Sequence, residues 1–388
     1  MSQSEVRVSR RGEARVRYGH PWIFRSDVES EGDLAPGSIV RVTGERGRTL
    51  GHAFYSSQSE IRLRMISRTE TLPEDWLAQR LAQAVSWRET VVPGSRACRL
   101  VHGEGDGIPS LVVDRYGDYL VIQTLSQATD TLRHEIARLL GELLWPKGIL
   151  ERNDPRVRQL EGLDSRVGVL LGDVPPLVEV DENGVTFGVD LWKGQKTGLF
   201  LDQQENHLVA RTYARGRVLD AFTCDGGFAL SVARSVDSVL AVDISAEAVA
   251  RTNANAQRNG VDNVTALEAN VFDLLRQMSD AGERFDTIIL DPPAFAKSKS
   301  AAERAWNGYR EINLRALRLL GPGGILFTCS CSYHIHEADF ETILTEAAED
   351  SGATVNIVEK RRQGRDHPVL LGVPETHYLK AFILRRLA

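Results

Sequence analysis

The sequence predicts an α/β protein: a Rossmann-like seven-stranded sheet preceded by a small β-barrel and a small central α/β domain. Three observations carry this expectation. Residues 217–245, RVLDAFTCDGGFALSVARSVDSVLAVDIS, read as strand, glycine turn, helix, strand and acid, which is half of a doubly wound nucleotide-binding sheet. Further strand and helix patterns follow, and the last two strands, TVNIVEKRRQ and THYLKAFILRRL, have only a loop between them, so they should pair antiparallel. Residues 1–68 show instead short strands broken by Gly and Pro, the pattern of a small barrel.

At 388 residues the chain is too long for one ordinary core. The expected boundaries are 1–70 for the barrel, 71–177 for the central domain and 178–388 for the large sheet. No stretch approaches the ~20 apolar residues that cross a bilayer. The polar, Arg-rich N-terminus lacks the apolar core of a signal peptide. Four cysteines without framework spacing suit a reducing compartment, so a cytoplasmic protein is expected. Net charge is −6, yet residues 1–68 hold twelve Arg and no Lys against eight acids, a local excess of +4. That asymmetry points to a phosphate-rich partner held by one module, or to a solvated Arg-rich surface.

In chain order, VRVSRRGEARVRYGHPWIF is the opening basic strand run, and SIVRVTGERGRTLGHAFY and IRLRMI supply further strands. Together with Gly19-His20-Pro21-Trp22-Ile23-Phe24 they resemble the PUA RNA-binding domain. His20, Trp22 and Phe24 could stack on bases, but a core staple is the reading favoured here. Residues 72–90 form an amphipathic helix with Trp76, Leu77, Leu81, Ala84, Val85 and Trp87 on one face. Residues 98–125 read as two strands around a Gly-rich turn, followed by a helix near 128–144 and the strand KGILER. The HGEGDG run has too few carboxylates for calcium and its acids disfavour phosphate, so it reads as a hairpin turn. A hairpin over VEVDENGVTFGVDL opens the third domain, in which Ser245 is an N-cap and FDTIILDPP a doubly buried strand.

The turn after the organising strand is not a G-x-G-x-x-G fingerprint. Acids stand at the tips of two strands, Asp220 and Asp243, where they repel phosphate and suit an ammonium and ribose hydroxyls. S-adenosylmethionine offers both and carries no phosphate; a Rossmann half for NAD is the alternative. Seven strands with a terminal hairpin fit a methyltransferase sheet better than a six-stranded dehydrogenase sheet.

Two more strand ends carry chemistry. Asp291-Pro292-Pro293-Ala294-Phe295 aims Asp291 at the mouth of the sheet, with Phe295 placed to stack on a planar base. Thr328-Cys329-Ser330-Cys331-Ser332 places two thiols on one face, Cys331 nearer the mouth. A thiolate beside an activated methyl can attack C6 of a pyrimidine and turn C5 into a nucleophile. Such a thiol needs positive charge or a helix N-terminus nearby. Asp291 would hold the cytosine amino edge or stabilise the activated ring. Cys329, Cys331, His334 and His336 do not match zinc spacing, and no metal is expected.

Over nearly its whole length the chain resembles the bacterial 23S rRNA cytosine-5 methyltransferases. The resemblance is carried by GHPWIF, EGDGIPSLVVDRYGDYLVIQ, KTGLFLDQ, AFTCDGGFAL, VDIS, DPPAFAKSKS, SCS and DHPVLLGVPETHYLK, in that order. It implies Cys331 as the nucleophile, and Asp220, Phe222, Gly226, Gly227, Asp243 and Asp291 around S-adenosylmethionine. Phe200 and Gln203 would close over the cofactor. Three positions depart from the family pattern. Asn270 stands where an acid is common, facing the adenine amino group. Ala294 replaces a Lys found in some members, a ground that Lys297 and Lys299 could cover as substrate contacts. Pro293 stands where related enzymes have a second cysteine.

The implied partner is 23S rRNA or a large-subunit assembly intermediate; the oligomeric state stays open, a homodimer included. The rival readings are methylation of an exocyclic base nitrogen, and a non-catalytic RNA-binding or ribosome-assembly factor.

Overall fold

The computed structural model describes residues 4–295 and 302–387. Two compact units form, Met1–Val180 with Val189–Leu199 and Arg365–Thr376, and Asp181–Gly188 with Phe200–Gly364 and His377–Ala388. The stretches expected as separate domains, 1–70 and 71–177, share the first unit, each with its own sheet. The segment 365–376, expected with the large sheet, also belongs to it.

The first sheet of this unit is built from β1 (Glu5–Val8), β2 (Trp22–Phe24), β3 (Val28–Glu31), β4 (Ile39–Thr43), β5 (Thr49–Tyr55) and β6 (Ile61–Ser67) in the order β2-β6-β5-β4-β1-β3. The expected opening strand is cut short by a helix, α1 (Arg10–Arg17). Ser9 Oγ caps it by accepting from the Gly12 amide at 3.3 Å, and Gly12 and Val16, one helical turn apart, are its buried face. The alternation of Val and Arg resembled a strand and hid that spacing. Ile23 is fully buried, while Trp22 donates to Glu104 Oε1 at 2.9 Å with the His20 ring edge-on at 5.4 Å. Eight of the twelve Arg pair with acids of this unit: Arg7 with Glu29, Arg11 and Arg15 with Asp27, Arg17 with Glu13, Arg25 with Glu60, Arg41 with Glu5, Arg62 with Glu31, Arg64 with Glu161.

The second sheet has the order β11-β10-β9-β8-β7, from β7 (Ala97–His102), β8 (Leu111–Tyr116), β9 (Tyr119–Thr124), β10 (Gly148–Asn153) and β11 (Arg166–Gly172). Helices α2 (Trp76–Val91), α3 (Gln127–Thr131) and α4 (Arg133–Leu144) accompany it. Residues 98–125 make three strands, not two, because Gly117 at φ +63° reverses the chain after Tyr116. On α2 the expected face is buried at Leu77, Leu81, Ala84 and Val85, but Trp87 is 50% exposed. Arg88 takes the inward place, one turn after Ala84, and donates to both Asp106 oxygens at 2.6 and 2.7 Å. The HGEGDG run is thus a turn between β7 and β8 whose acid neutralises a buried guanidinium. A two-stranded hairpin follows, β12 (Leu177–Glu182) with β13 (Val185–Asp190).

The second unit is a seven-stranded sheet, β16-β15-β14-β17-β18-β20-β19. Its strands are β14 (Arg217–Ala221), β15 (Ser238–Asp243), β16 (Val264–Glu268), β17 (Phe285–Leu290), β18 (Leu320–Ser330), β19 (Val355–Arg362) and β20 (Lys380–Arg386). The helices are α5 (Gln204–Tyr213), α6 (Gly227–Ala233), α7 (Ala246–Arg258), α8 (Val271–Asp280), α9 (Ala302–Leu319) and α10 (Glu337–Ser351). The first five strands pair in parallel, and β20 enters antiparallel between β18 and β19. Apolar clusters fill the sheet, one built around Ile288, Leu290, Tyr309 and Phe340, the other around Val218, Phe228 and Phe327. Among the described residues no helix is long and apolar enough to cross a membrane.

Candidate active site

The strand order of the second unit reverses between β14 and β17, so a crevice opens beyond the carboxyl ends of these two strands. Ala221 and Leu290 are paired across it, and the Asp291 amide donates to the Ala221 carbonyl at 3.3 Å. Asp220, Asp243 and Asp291 therefore stand at neighbouring strand tips, as the sequence implied.

The turn leaving β14 is tighter than its glycines alone suggest. Phe222, Cys224 and Gly226 have φ of +68°, +53° and +83°, and the first two are non-glycine residues in the left-handed region. Each such residue costs on the order of 1 kcal/mol or more and persists only where neighbours enforce it. Here the Thr223 amide donates to the Val242 carbonyl at 3.0 Å, Thr252 Oγ1 to the Cys224 carbonyl at 3.1 Å, and Asn255 Nδ2 to the Asp225 carbonyl at 3.1 Å. An Arg251–Asp225 ion pair closes the grip of α7 on the turn. Gly227 has a different reason from close approach to a ligand: the His207 ring of α5 fills the space a side chain would need. That ring is held by Glu182 at 2.6 Å.

Asp220 is fully buried, and one of its oxygens, Oδ2, accepts from Thr223 Oγ1 at 2.7 Å and from the Ala229 amide at 2.9 Å. Its Oδ1 is buried with no partner, and desolvation raises its pKa to about 6. An orphaned carboxylate oxygen at a strand tip is a demand for a cation. Asp243 accepts from the Cys224 amide at 3.0 Å and from the Ser245 amide at 3.0 Å, one bond per oxygen. Each oxygen keeps a lone pair for a hydroxyl donor.

Phe222, Phe272, Phe295 and Tyr309 form an aromatic cluster with centroid distances of 4.6 to 6.5 Å. Phe295 packs within it, against Tyr309 at 4.6 Å. The Asn270 side-chain Oδ1 caps α8, accepting from the Phe272 and Asp273 amides at 3.0 and 3.4 Å. Lys297 and Lys299 lie outside the described residues.

At the end of β18, Cys329 is fully buried, and its thiol is pushed well up by burial and by Asp291 beside it, with the Gln203 side chain also in contact. Gln203, buried in the 3-10 turn Leu201–Gln203, accepts from Asn206 Nδ2 at 2.6 Å; Phe200 precedes it, half-buried. Cys331, one residue beyond the strand, is half-buried with its sulfur 3.8 Å from the Pro292 carbonyl. The structure thus brings together Asp291, Gln203, Cys329 and Cys331. Among the described residues no cluster of His, Cys, Asp or Glu is arranged for a metal ion, and the His336 position caps α10.

Two residues went unread in the sequence. Lys380 at the start of β20 is 3% exposed, and its ammonium donates to the Ser332 carbonyl at 2.7 Å and the Tyr378 carbonyl at 2.9 Å. Tyr309 hydrogen-bonds Ser332 Oγ at 2.9 Å and is buried with its pKa raised to about 12 by desolvation. A lysine opening an otherwise apolar strand was the one available signal.

Comparison with known proteins agrees with this fold. Residues 6–68 match the PUA-like domain model, and residues 127–385 the S-adenosylmethionine-dependent methyltransferase model. The fold is shared with "A putative sam-dependent methyltransferase from Streptococcus mutans", at TM-score 0.83 and 20% identity over 98% of this chain and 100% of that one. SMU.776, an assigned methyltransferase solved with SAH, gives TM-score 0.85 at 20% identity and the same coverage. Fold, strand-tip acids and family model define an S-adenosylmethionine-dependent methyltransferase carrying a PUA-like domain. The chain is 39% identical to "Ribosomal RNA large subunit methyltransferase I" of Klebsiella pneumoniae (strain 342) over 376 residues, 94% of each chain. It is likewise 39% identical to the protein of that name from Aeromonas salmonicida over 377 residues, 94% of this chain and 95% of that one. The chain belongs to the ribosomal RNA large subunit methyltransferase I family.

Proposed function

We propose that the chain methylates C5 of a cytosine in 23S rRNA, with Cys331 as the covalent nucleophile. The observation that carries this reading is the position of Cys331: a half-buried thiol one residue past β18, beside the Asp291 loop, at the mouth where the strand-tip acids gather. The large-subunit rRNA relatives support the substrate.

Asp220 Oδ1 would hold the cofactor ammonium and Asp243 its ribose hydroxyls. Phe200, Phe222, Gly226 and Asn270 would line the same site. When bound, S-adenosylmethionine supplies the methyl as the carbon of a sulfonium, which leaves as a neutral thioether. Cys331 sulfur forms a bond to C6 of a flipped or unpaired cytosine, and the C5–C6 π pair becomes available at C5. Asp291 would hold the amino edge of the ring as charge builds on it. After methylation a base removes the C5 proton, its electron pair reforms the double bond, and the sulfur leaves as thiolate. Neighbouring Cys329 is a poor nucleophile, being fully buried with its thiol pushed up.

The test is a trap. Wild type and Cys331→Ala are incubated with 23S rRNA fragments carrying 5-fluorocytosine and labelled S-adenosylmethionine, then resolved on a denaturing gel. A covalent adduct in wild type alone is expected, because fluorine at C5 blocks the final proton removal. Absence of adduct, with normal RNA still methylated by Cys331→Ala, would sink the thiol mechanism and favour an exocyclic nitrogen as acceptor.

A further inference from the structure

We infer that Lys380 is a positioning residue that holds Cys331 in its reactive, ionised form. The inference rests on the nucleophilic role proposed for Cys331 and adds the residue that makes it a nucleophile. Strand pairing places Lys380 of β20 opposite Ser330 of β18, at the end of the strand and one residue before Cys331. From there its side chain runs inward to the Ser332 carbonyl, the peptide just beyond Cys331, and to the Tyr378 carbonyl. An ammonium has three donors, and these two carbonyls take two of them. They fix the nitrogen at the residue that follows Cys331 while supplying no negative charge to neutralise it.

A buried ammonium without a carboxylate on it is costly, and such a group is kept where its charge is used. The charged groups facing it are few. Cys331 is the foremost opposite partner, ahead of Asp339 and Glu337 at the start of α10. Burial pulls the lysine down to about 8, and a charge on Cys331 works against that pull. Around this pair stand Tyr309 on α9, Asp291 after β17, Arg362 on β19 and His377 before β20. When Cys331 ionises, its proton goes to solvent, the sulfur keeps the pair, and Lys380 stays protonated beside it.

The experiment reads the thiol itself, without RNA. Alkylation of Cys331 by iodoacetamide is followed against pH by mass spectrometry of the Cys331 peptide in full-length wild type, Lys380→Met and Lys380→Arg. Lys380→Met should slow alkylation at pH 7 by about tenfold or more and move the midpoint up by at least one pH unit. Lys380→Arg should recover most of the wild-type profile, which a purely structural role would not require. An unchanged profile in Lys380→Met overturns the inference. If Lys380→Met does not fold, the wild-type midpoint decides: below the ordinary thiol value of ~8.5 supports the inference, at or above it overturns it. If Cys331→Ala methylates normally, the nucleophile reading falls while the alkylation profile still reports on Lys380.

Discussion

The His207 ring occupies the space of the side chain that residue 227 lacks: a Cβ on Gly227 would lie 2.5 Å from His207 Cε1 and 2.7 Å from Nε2. His207 cannot easily yield, because Glu182 holds Nδ1 at 2.6 Å and Phe228 packs edge-on at 4.5 Å. Gly227→Ala should therefore destabilise the fold by about 1–3 kcal/mol, the usual range for overpacking. A denaturant titration measures it. The double variant Gly227→Ala/His207→Ala should lose less than the sum of the singles, by about 1 kcal/mol. Strict additivity would mean that α6 moves away from the ring instead.

Asp220 makes a pH-dependent prediction. Its folded-state pKa of about 6 lies above the ordinary 3.8, so between these values the folded chain holds a proton that the unfolded chain has lost. Stability from this group is then greatest at the acid end and falls as pH rises through 6. Asp220→Asn cannot titrate, and its stability should fall less across this window, the difference reaching about 2–3 kcal/mol. Above pH 6 the wild-type carboxylate is charged and ready for an ammonium. Calorimetric titration at pH 7.5 should show S-adenosylmethionine bound at least tenfold more weakly by Asp220→Asn. Equal affinity would remove Asp220 from the cofactor site.

Periodicity and strand-end acids were enough to place the seven-stranded sheet, because doubly buried strands such as 285–290 and a capped helix such as 246–258 leave strong local patterns. The acids at 220, 243 and 291 were legible for the same reason: a strand that ends in Asp aims it at the mouth. The missed features depend on distant partners. The Cys331–Lys380 neighbourhood depends on antiparallel pairing of strand ends 49 residues apart in sequence, and the lysine in HYLKAF does not say which distant residue it meets. Gly227 read as a ligand-facing glycine, since its clash with His207 is set by α5. Arg88 replaced Trp87 in the core because Asp106 neutralises it, a pairing that a hydrophobicity pattern cannot express. The α1 helix was hidden by Arg residues, two of which, Arg11 and Arg15, are met by Asp27 in the turn before β3.

Those ion pairs narrow where RNA can be held by charge. With eight Arg of the first 68 residues engaged by acids, the surplus is carried by Arg10, Arg46, Arg48 and Arg68, which make no ion pair among the described residues. Arg46 and Arg48 sit together in the exposed turn between β4 and β5, where neither supports a packed contact. Arg46→Glu/Arg48→Glu should leave the melting temperature and S-adenosylmethionine affinity unchanged. RNA affinity in filter binding should drop by about tenfold or more at low salt, and the slope of log affinity against log salt should shrink by roughly two phosphate contacts. Arg11→Gln, which removes an already neutralised charge, should change RNA affinity far less and instead loosen the buried Asp27. If the double charge reversal binds RNA as wild type does at every salt concentration, this turn is a solvated surface and phosphate is held elsewhere.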